Sequence, residues 1–465
     1  MKKVLFIAYY FPPIGGSGTQ RPAKFVKYLP ECDWQPYVIS TDGPYGDGAE
    51  GRDETLLADL PPGVRVWRAP TPQPRPVQTL ARWVGWRSKS PTDGVVAQPG
   101  AVAAPSPRLS PATRVRRALL APLYLIENPP VDPAFYWALR IVPLTQRIIR
   151  REGIDVVLTT VPPWSALITG ALLQRLTGRP WVADFRDPWT ANEFTYDPSP
   201  ARRRCDERLE RYLLTRADAV ISVTAPWLQG LQARVAGRAA AKPFVLIPNG
   251  WDRADFPDLD AVRAGLPPPA AGDGRIVLLH PGSAYRGEPL PLLWALDRLA
   301  ADGVEPERLR FHFVGYVHPE DRRAIADSPH SRLFQLDPDR VPHDRALHLM
   351  RESHVLLLLL LRKGPGASSG KVFEYMVAGR PVLSIGSGVG SRLVEETGIG
   401  VGIAPEDVEG LAGLLRQIAE DYPGFVARHY RPQWPLIAQY ERRALTGRLA
   451  EVLDKVSGRR SGTLH

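Results

Sequence analysis

Ser368-Ser369-Gly370-Lys371-Val372-Phe373-Glu374, closed by Gly379-Arg380-Pro381, has the pattern of a helix that opens on small polar residues and stops at glycine and proline. A helix start presents free N–H groups and a partial positive charge, which suits a diphosphate, and Lys371 in the first turn adds a mobile cation. Glu374 lies on the same face three residues on. Its carboxylate accepts two hydrogen bonds in one plane, which suits two adjacent ribose hydroxyls. Ser369 and Gly370 join this donor-side set. The competing reading is a Lys371–Glu374 surface pair on a capped helix.

Three further segments end apolar runs in ways that could do chemistry. His280-Pro281-Gly282-Ser283-Ala284-Tyr285-Arg286-Gly287 places Arg286 toward the same crevice, so that two cations would face a leaving diphosphate as its charge builds. Gly315, after the next apolar run, is assigned to the donor side with them. Phe11-Pro12-Pro13-Ile14-Gly15-Gly16-Ser17-Gly18 follows the first apolar run, where Gly15 and Gly16 let the backbone pass close to a ligand. A GxGxxG fingerprint fails there, because Gln20 stands where its last glycine belongs, and a plain tight turn is the alternative. Asp184-Phe185-Arg186-Asp187 ends a strand, where ligands sit; Asp184 and Arg186 read as acceptor-side groups and Asp187 as a catalytic carboxylate. The alternative is an internal arginine–aspartate pair that orders the loop.

Short apolar runs alternate with helix-sized gaps, which predicts parallel α/β sheets. Strands are expected near 3–8, 36–41, 64–68, 154–159, 180–184, 218–223 and 244–247, and again near 276–280, 310–315, 355–361, 381–385 and 399–403. Gly265–Gly274 contains three consecutive prolines and reads as a linker. The expected plan is therefore an N-terminal domain over 1–264, the linker at 265–274 and a C-terminal domain over 275–430. A helix over 431–456 returns to the first domain, and a disordered tail covers 457–465.

The 465 residues carry a net charge of +10, with 44% hydrophobic and 23% charged residues, the balance of a folded globular chain. Nine basic residues against the single acid Asp93 give the stretch from Arg68 to Ala118 a net charge of +8, so the rest is nearly neutral. Within it, 69–118 is rich in proline and breaks the βα rhythm; Leu80, Trp83, Val84 and Trp86 beside Arg82, Arg87 and Lys89 suit an anionic membrane surface, against the alternative of a solvated loop. No nucleic-acid motif accompanies the charge. Cys32 and Cys205 fit neither a disulfide framework nor a cysteine metal site, and suit a reducing cytoplasm. The longest aliphatic run, Val355–Leu361, is far too short to span a membrane. Lys2-Lys3 and the apolar run after it could pass for a short signal peptide, but the same residues read as a buried first strand.

In order along the chain, YYFPPIGGSGTQRPAKF, RPWVADFRDPWT, IPNGWDRADF, HPGSAYRGEPLPLLWAL and SGKVFEYMVAGRPVL resemble the family 4 glycosyltransferases of GT-B type. The resemblance covers about 1–66 and 123–455 and leaves 69–118 out. It implies two Rossmann-like doubly wound domains facing each other across a cleft. It also implies a retaining, metal-independent sugar transfer from a nucleotide-diphosphate sugar to a hydroxyl acceptor, a glycan or lipid-linked glycan, in surface polysaccharide or glycolipid synthesis. No cofactor is expected, and the location implied is cytoplasmic, peripheral on the inner face of the membrane. By position, Arg286 and Lys371 would hold the diphosphate, Glu374 the ribose, and Gly15 with Gly16 the cleft near the sugar phosphate.

Two departures from the family pattern stand out. Its spacing of two glutamates, E-x7-E, fails because Gly366 stands eight residues before Glu374, so the usual contact to the donor sugar is missing. All nine histidines lie beyond the linker, and Trp164 occupies the region where a histidine is expected near the reacting sugar. The leaving phosphate is then the expected proton acceptor, with Asp184 or Asp187 as substitutes. His280 reads as structural and His343 as a loop residue. Two other functions remain open: a nucleotide-sugar epimerase on the same fold, and a two-lobed sugar-binding protein that would need a true signal peptide.

Overall fold

Val4-Leu5-Phe6-Ile7 is apolar on both faces and lies fully buried, as expected of a central strand in a parallel sheet covered on both sides. In a computed structural model, the described residues are 1–42, 51–72, 130–192, 196, 198–237, 242–265, 274–304, 306–339, 341–361, 364, 366 and 368–461. The basic stretch 73–118, with its expected membrane contact, and the proline string 266–273 lie outside them.

The N-terminal lobe comprises β1 (Lys2–Ile7), α1 (Ser17–Tyr28), β2 (Trp34–Thr41), β3 (Arg65–Ala69), α2 (Phe135–Glu152), β4 (Val156–Val161), α3 (Ala166–Thr177), β5 (Trp181–Phe185), α4 (Pro200–Arg216), β6 (Ala219–Ser222), α5 (Ala225–Arg234) and β7 (Phe244–Leu246). Its seven strands are all parallel, in the order β3-β2-β1-β4-β5-β6-β7.

After α6 (Leu259–Ala264), the second lobe runs β8 (Ile276–Pro281), α7 (Leu290–Ala301), β9 (Leu309–Val314), α8 (Pro319–Asp327), β10 (Phe334–Asp337), α9 (His343–Glu352), β11 (Val355–Leu360), α10 (Lys371–Tyr375), β12 (Val382–Gly386), α11 (Val389–Glu396), β13 (Gly400–Ile403) and α12 (Val408–Glu420). Its six parallel strands stand in the order β10-β9-β8-β11-β12-β13. The two doubly wound sheets bear out the expected α/β class.

Chain order reverses between β1 and β4 in the first sheet, and between β8 and β11 in the second. The loops leaving the carboxyl ends of those strands frame the crevices where open α/β sheets bind ligands. Gly15 and Gly16 follow β1, Arg286 follows β8, and Ser369, Gly370, Lys371 and Glu374 follow β11, whereas Asp184, Arg186 and Asp187 stand at the end of β5 and Gly315 after β9.

Four expectations need correction. β10 was not expected: Phe-Gln-Leu-Asp is a four-residue edge strand, only partly buried, whose pattern is too short to stand out. The N-terminal lobe does not extend to 264, because Trp251, Phe256, Leu259 and Val262 pack with Leu279, Val314 and Leu356 of the second lobe. The crossing lies at Gly250–Trp251, where Trp251 N donates to Tyr440 O at 3.0 Å and Arg442 N to Trp251 O at 2.8 Å. A Cβ on Gly250 would stand 2.1 Å from Tyr440 O, so the two passing chains touch at backbone level. The helix expected to close at Gly379 stops at Tyr375. The tail is helical through Ser461, in the last helix, Arg442–Ser461, and 462–465 lie outside the described residues.

Leu445, Leu449, Val452 and Leu453 of that last helix pack against Val4, Phe6 and Phe25 of the first lobe. Among the described residues, no helix is long and apolar enough to cross a membrane.

Candidate active site

Lys371 is the first residue of α10, and its Nζ lies 3.2 Å from His280 Nε2 at the end of β8. His280 is buried, with Nδ1 3.1 Å from Leu357 O. A tautomer that donates Nδ1–H to Leu357 leaves Nε2 to accept from the ammonium. The floor beneath is glycine by necessity: Gly282 and Gly315 have φ of +110° and +117°. A Cβ on Gly282 would stand 2.8 Å from Lys371 Cε, and one on Gly315 3.2 Å from Gly282. Backbone and cation therefore meet at the second sheet's switch point without side chains between them.

Ser369 Oγ accepts from Lys371 N at 3.4 Å, and Gly370 faces open space. Arg286 pairs with Glu320 at 2.6 Å and is more than a third exposed.

Glu374 faces a different partner. Its Oε1 is 2.9 Å from His343 Nε2, and His343 N, at the start of α9, donates to Asp53 of the first lobe at 3.2 Å. His343 is thus not a loop residue but the opening of a helix that touches both lobes. Burial opposes its charge, yet the Glu374 carboxylate outweighs that and pushes the imidazole up to about 9. Glu374 is likewise disfavoured as an anion by burial, but His343, then Arg442 and Lys24, hold it below the usual carboxylate range.

The pair is therefore ionic at neutral pH. Because the folded imidazole titrates above its ordinary 6.5, its stabilisation is complete below that pH and is lost as pH rises through about 9. Glu374's contribution runs the other way, present above its ordinary 4.5 and lost as the medium acidifies. His343→Gln is expected to cost on the order of 2–3 kcal/mol near pH 6. Urea titrations at several pH values should show that gap closing by pH 10.

Behind this pair, Arg442 is 6% exposed, and its Nη1 has no hydrogen-bond partner among the described residues. Burial, with Arg21, pushes its guanidinium down to about 10 against the pull of Glu374.

In the first lobe, Gly15 N donates to Gly51 O at 2.7 Å and Asp53 N to Pro13 O at 2.8 Å, so the glycine loop is braced by the 51–53 segment. Gly16, at φ +89°, precedes α1. Within α1, Pro22 cannot donate to the carbonyl four residues back. That carbonyl, Gly18 O, instead accepts from Arg186 Nη1, and a Cβ on Gly18 would stand 2.5 Å from the same nitrogen. Arg186 also lies 3.4 Å from Pro162 O, so it braces the glycine loop against the loop after β4 and is not free on the acceptor side.

Asp184 needs the same correction. It is 1% exposed and accepts from Arg21 Nε and Nη2 at 3.0 and 2.7 Å and from Thr160 Oγ1 at 3.1 Å. A carboxylate so enclosed has no oxygen left for an acceptor hydroxyl. Asp187 is 43% exposed and lies 3.8 Å from Arg186. Trp164 stacks on Trp189, with ring centroids 6.5 Å apart.

Asp59, Asp252 and Asp255 gather their carboxylates as a metal site would. Lys24 Nζ fills that position at 2.7, 2.7 and 2.9 Å, and Lys27 adds a second ammonium. Burial opposes the charge on Asp252, yet Lys24, Lys27 and Tyr28 hold it well below the carboxylate range. This cluster and Arg442 escaped the sequence reading, and His343 was read there as a loop residue. A signal existed for one of them: Arg21, Lys24 and Lys27 recur every third residue along a helix whose other side is apolar.

Residues 92–250 match the family described as Glycosyl transferase 4-like domain, which takes in 92–118, a stretch the motif resemblance left uncovered. No curated protein sequence matches the chain. Among solved structures, HepE of Anabaena in complex with UDP and glucose is 18% identical, with a TM-score of 0.60 over 98% of this chain and 100% of its own. Sucrose-phosphate synthase of Thermosynechococcus elongatus is 14% identical, with a TM-score of 0.54 over 99% of this chain and 98% of its own. A putative UDP-N-acetylglucosamine 2-epimerase of Listeria monocytogenes is 15% identical, with a TM-score of 0.50 over 100% and 98%. Residues 92–250 thus resemble a glycosyltransferase-4-like domain, and the paired sheets have the GT-B fold that these solved structures share.

Proposed function

We propose that the protein is a retaining glycosyltransferase, independent of metal, that moves a sugar from a nucleoside diphosphate sugar to a hydroxyl of a glycan or lipid-linked glycan in surface polysaccharide or glycolipid synthesis. The observation that carries the reading is the Lys371 ammonium held by His280 over the paired glycines Gly282 and Gly315. A fixed cation above bare backbone at a switch point suits a diphosphate. The UDP and UDP-glucose complexes of HepE support the same class of donor.

In this mechanism Lys371 and Arg286 stabilise the charge that grows on the departing nucleoside diphosphate. Arg286 exchanges Glu320 for phosphate when the donor binds. Glu374, kept ionised by His343, accepts from the ribose hydroxyls. Ser369, Gly370 and Gly315 line the donor side, and Gly15 with Gly16 the opposite wall near the sugar phosphate. The acceptor's proton passes to the leaving phosphate on the same face of the sugar, and Asp187 is the exposed carboxylate that could share it.

The first test is thermal stabilisation by UDP-, GDP-, ADP- and dTDP-sugars, because only a ligand that binds the folded chain raises the midpoint. Stabilisation by one of them, lost in Glu374→Ala with a drop in donor affinity of roughly tenfold or more, is the expected result. No stabilisation by any donor would sink the reading. The Listeria neighbour keeps one alternative in view: formation of an epimer with no acceptor present would reassign the site to an epimerase.

A further inference from the structure

Helix α9 has no cap of its own: the position before His343 is Pro342, which carries no side-chain acceptor. The acceptor arrives from the other lobe, 290 positions away, where Asp53 Oδ2 takes the His343 N–H at 3.2 Å. A carboxylate at a helix start also meets the positive end of the helix dipole. The main chain of the same aspartate serves the first lobe. Its N–H donates to Pro13 O at 2.8 Å, and two residues earlier Gly51 O accepts from Gly15 N at 2.7 Å. Asp53 therefore holds the loop after β1 with its backbone and the start of α9 with its side chain.

From α9 the contacts continue to the donor side. The His343 ring reaches Glu374 Oε1 at 2.9 Å, and the Glu374 side chain remains 21% exposed, so the carboxylate is oriented without being sealed from a ligand. Asp255, whose charge also acts on His343, pairs in turn with Lys24 of α1 at 2.9 Å. The carboxylate proposed to hold the ribose is thus steadied from the 51–53 segment, from α1 and from the turn after the crossing at Gly250. A side chain oriented beforehand loses less freedom when its ligand arrives.

We propose that Asp53 and His343 are positioning residues for the donor: together they hold Glu374 in register with the glycine loop of the first lobe, and so set the preference for a ribonucleotide. This deepens the glycosyltransferase reading and rests on it, with Glu374 as the ribose partner. Asp53 acts through His343, and His343 through Glu374.

Glu374 favours a ribose only through its hydroxyls, so the affinity ratio between a ribonucleoside diphosphate and its 2′-deoxy form reads the carboxylate directly. Whichever of UDP, GDP and ADP raises the thermal midpoint most is compared with its 2′-deoxy counterpart by calorimetric titration of the full chain. The wild type is expected to prefer the ribose form roughly tenfold, the effect of one hydrogen bond to a charged acceptor. Glu374→Ala should bring the ratio to parity. His343→Ala should lower it to about twofold and Asp53→Ala to about threefold, whereas Asp53→Asn, which keeps an acceptor at the helix start, should restore most of it. In the Glu374→Ala background, Asp53→Ala should change the ratio no further. A ratio of two ligands cancels losses of folded fraction and of diphosphate affinity, so a role in stability alone would lower the midpoint of Asp53→Ala and leave its ratio at the wild-type value. That result, or equal affinity for the two forms in the wild type, overturns the inference and leaves the transferase reading standing. Failure of every nucleotide to bind overturns both.

Discussion

Lys371→Ala is expected to slow nucleoside diphosphate release by on the order of 10²–10³-fold, the usual cost of removing one group that meets charge developing in a transition state. The ammonium has a placed partner: His280 is buried, with Nδ1 3.1 Å from Leu357 O, and its Nε2 lies 3.2 Å from both Lys371 Nζ and Ser283 O. A cation placed beforehand needs no reorganisation when the bond to the sugar breaks. The effect should therefore fall mainly on kcat, with a smaller change in donor affinity, because the diphosphate also meets Arg286 and the glycine backbone. Lys371→Arg should recover only part of the rate, since a planar guanidinium cannot replace a compact ammonium 3.0 Å from where a Cβ of Gly282 would lie. A discontinuous assay of released nucleoside diphosphate measures both variants, and an undiminished rate in Lys371→Ala would remove Lys371 from the mechanism.

Asp184→Ala has the largest expected effect on stability. Arg21 and Asp184 are each 1% exposed and joined through three close nitrogen–oxygen contacts, with Thr160 on the remaining lone pairs. Removing the carboxylate strands a buried guanidinium, a loss of about 3–5 kcal/mol. Asp184→Asn, which keeps an acceptor oxygen, should cost less. Denaturant midpoints for both variants check this. If Asp184→Ala unfolds at the wild-type midpoint and loses acceptor affinity instead, the side chain belongs to the acceptor site and not to the scaffold.

The same pair shows how far the residues could be read without a fold. An aspartate at a strand's carboxyl end was legible as a charge near a ligand crevice, and β5 does end there. Its partner lies 163 positions earlier, on α1, and only the return of α1 across the sheet brings the two together. Arg186 fails for a related reason. Its target is a carbonyl freed by Pro22, a vacancy visible in the sequence once α1 is known to run through a proline, but not the identity of the group that fills it. The domain boundary misled in the opposite way. The three prolines at 267–269 are the strongest local break, yet the lobes part at Gly250, where one chain must cross the backbone of another.

What the sequence by itself determined is what depends on neighbours along the chain: two runs of parallel strands, the glycines at the strand ends, the lysine that opens α10, and the concentration of charge in one proline-rich stretch. Period, turn chemistry and helix starts are local, so they survive without three-dimensional context. Only the tertiary structure decided which charges answer one another. His343 with Glu374, Lys24 among Asp59, Asp252 and Asp255, and Arg21 with Asp184 are all far apart in sequence, and the Lys24 cluster joins residues from both sides of the crossing at Gly250. Electrostatic strength depends on distance and burial, and neither exists for a pair of residues until the chain has folded around them.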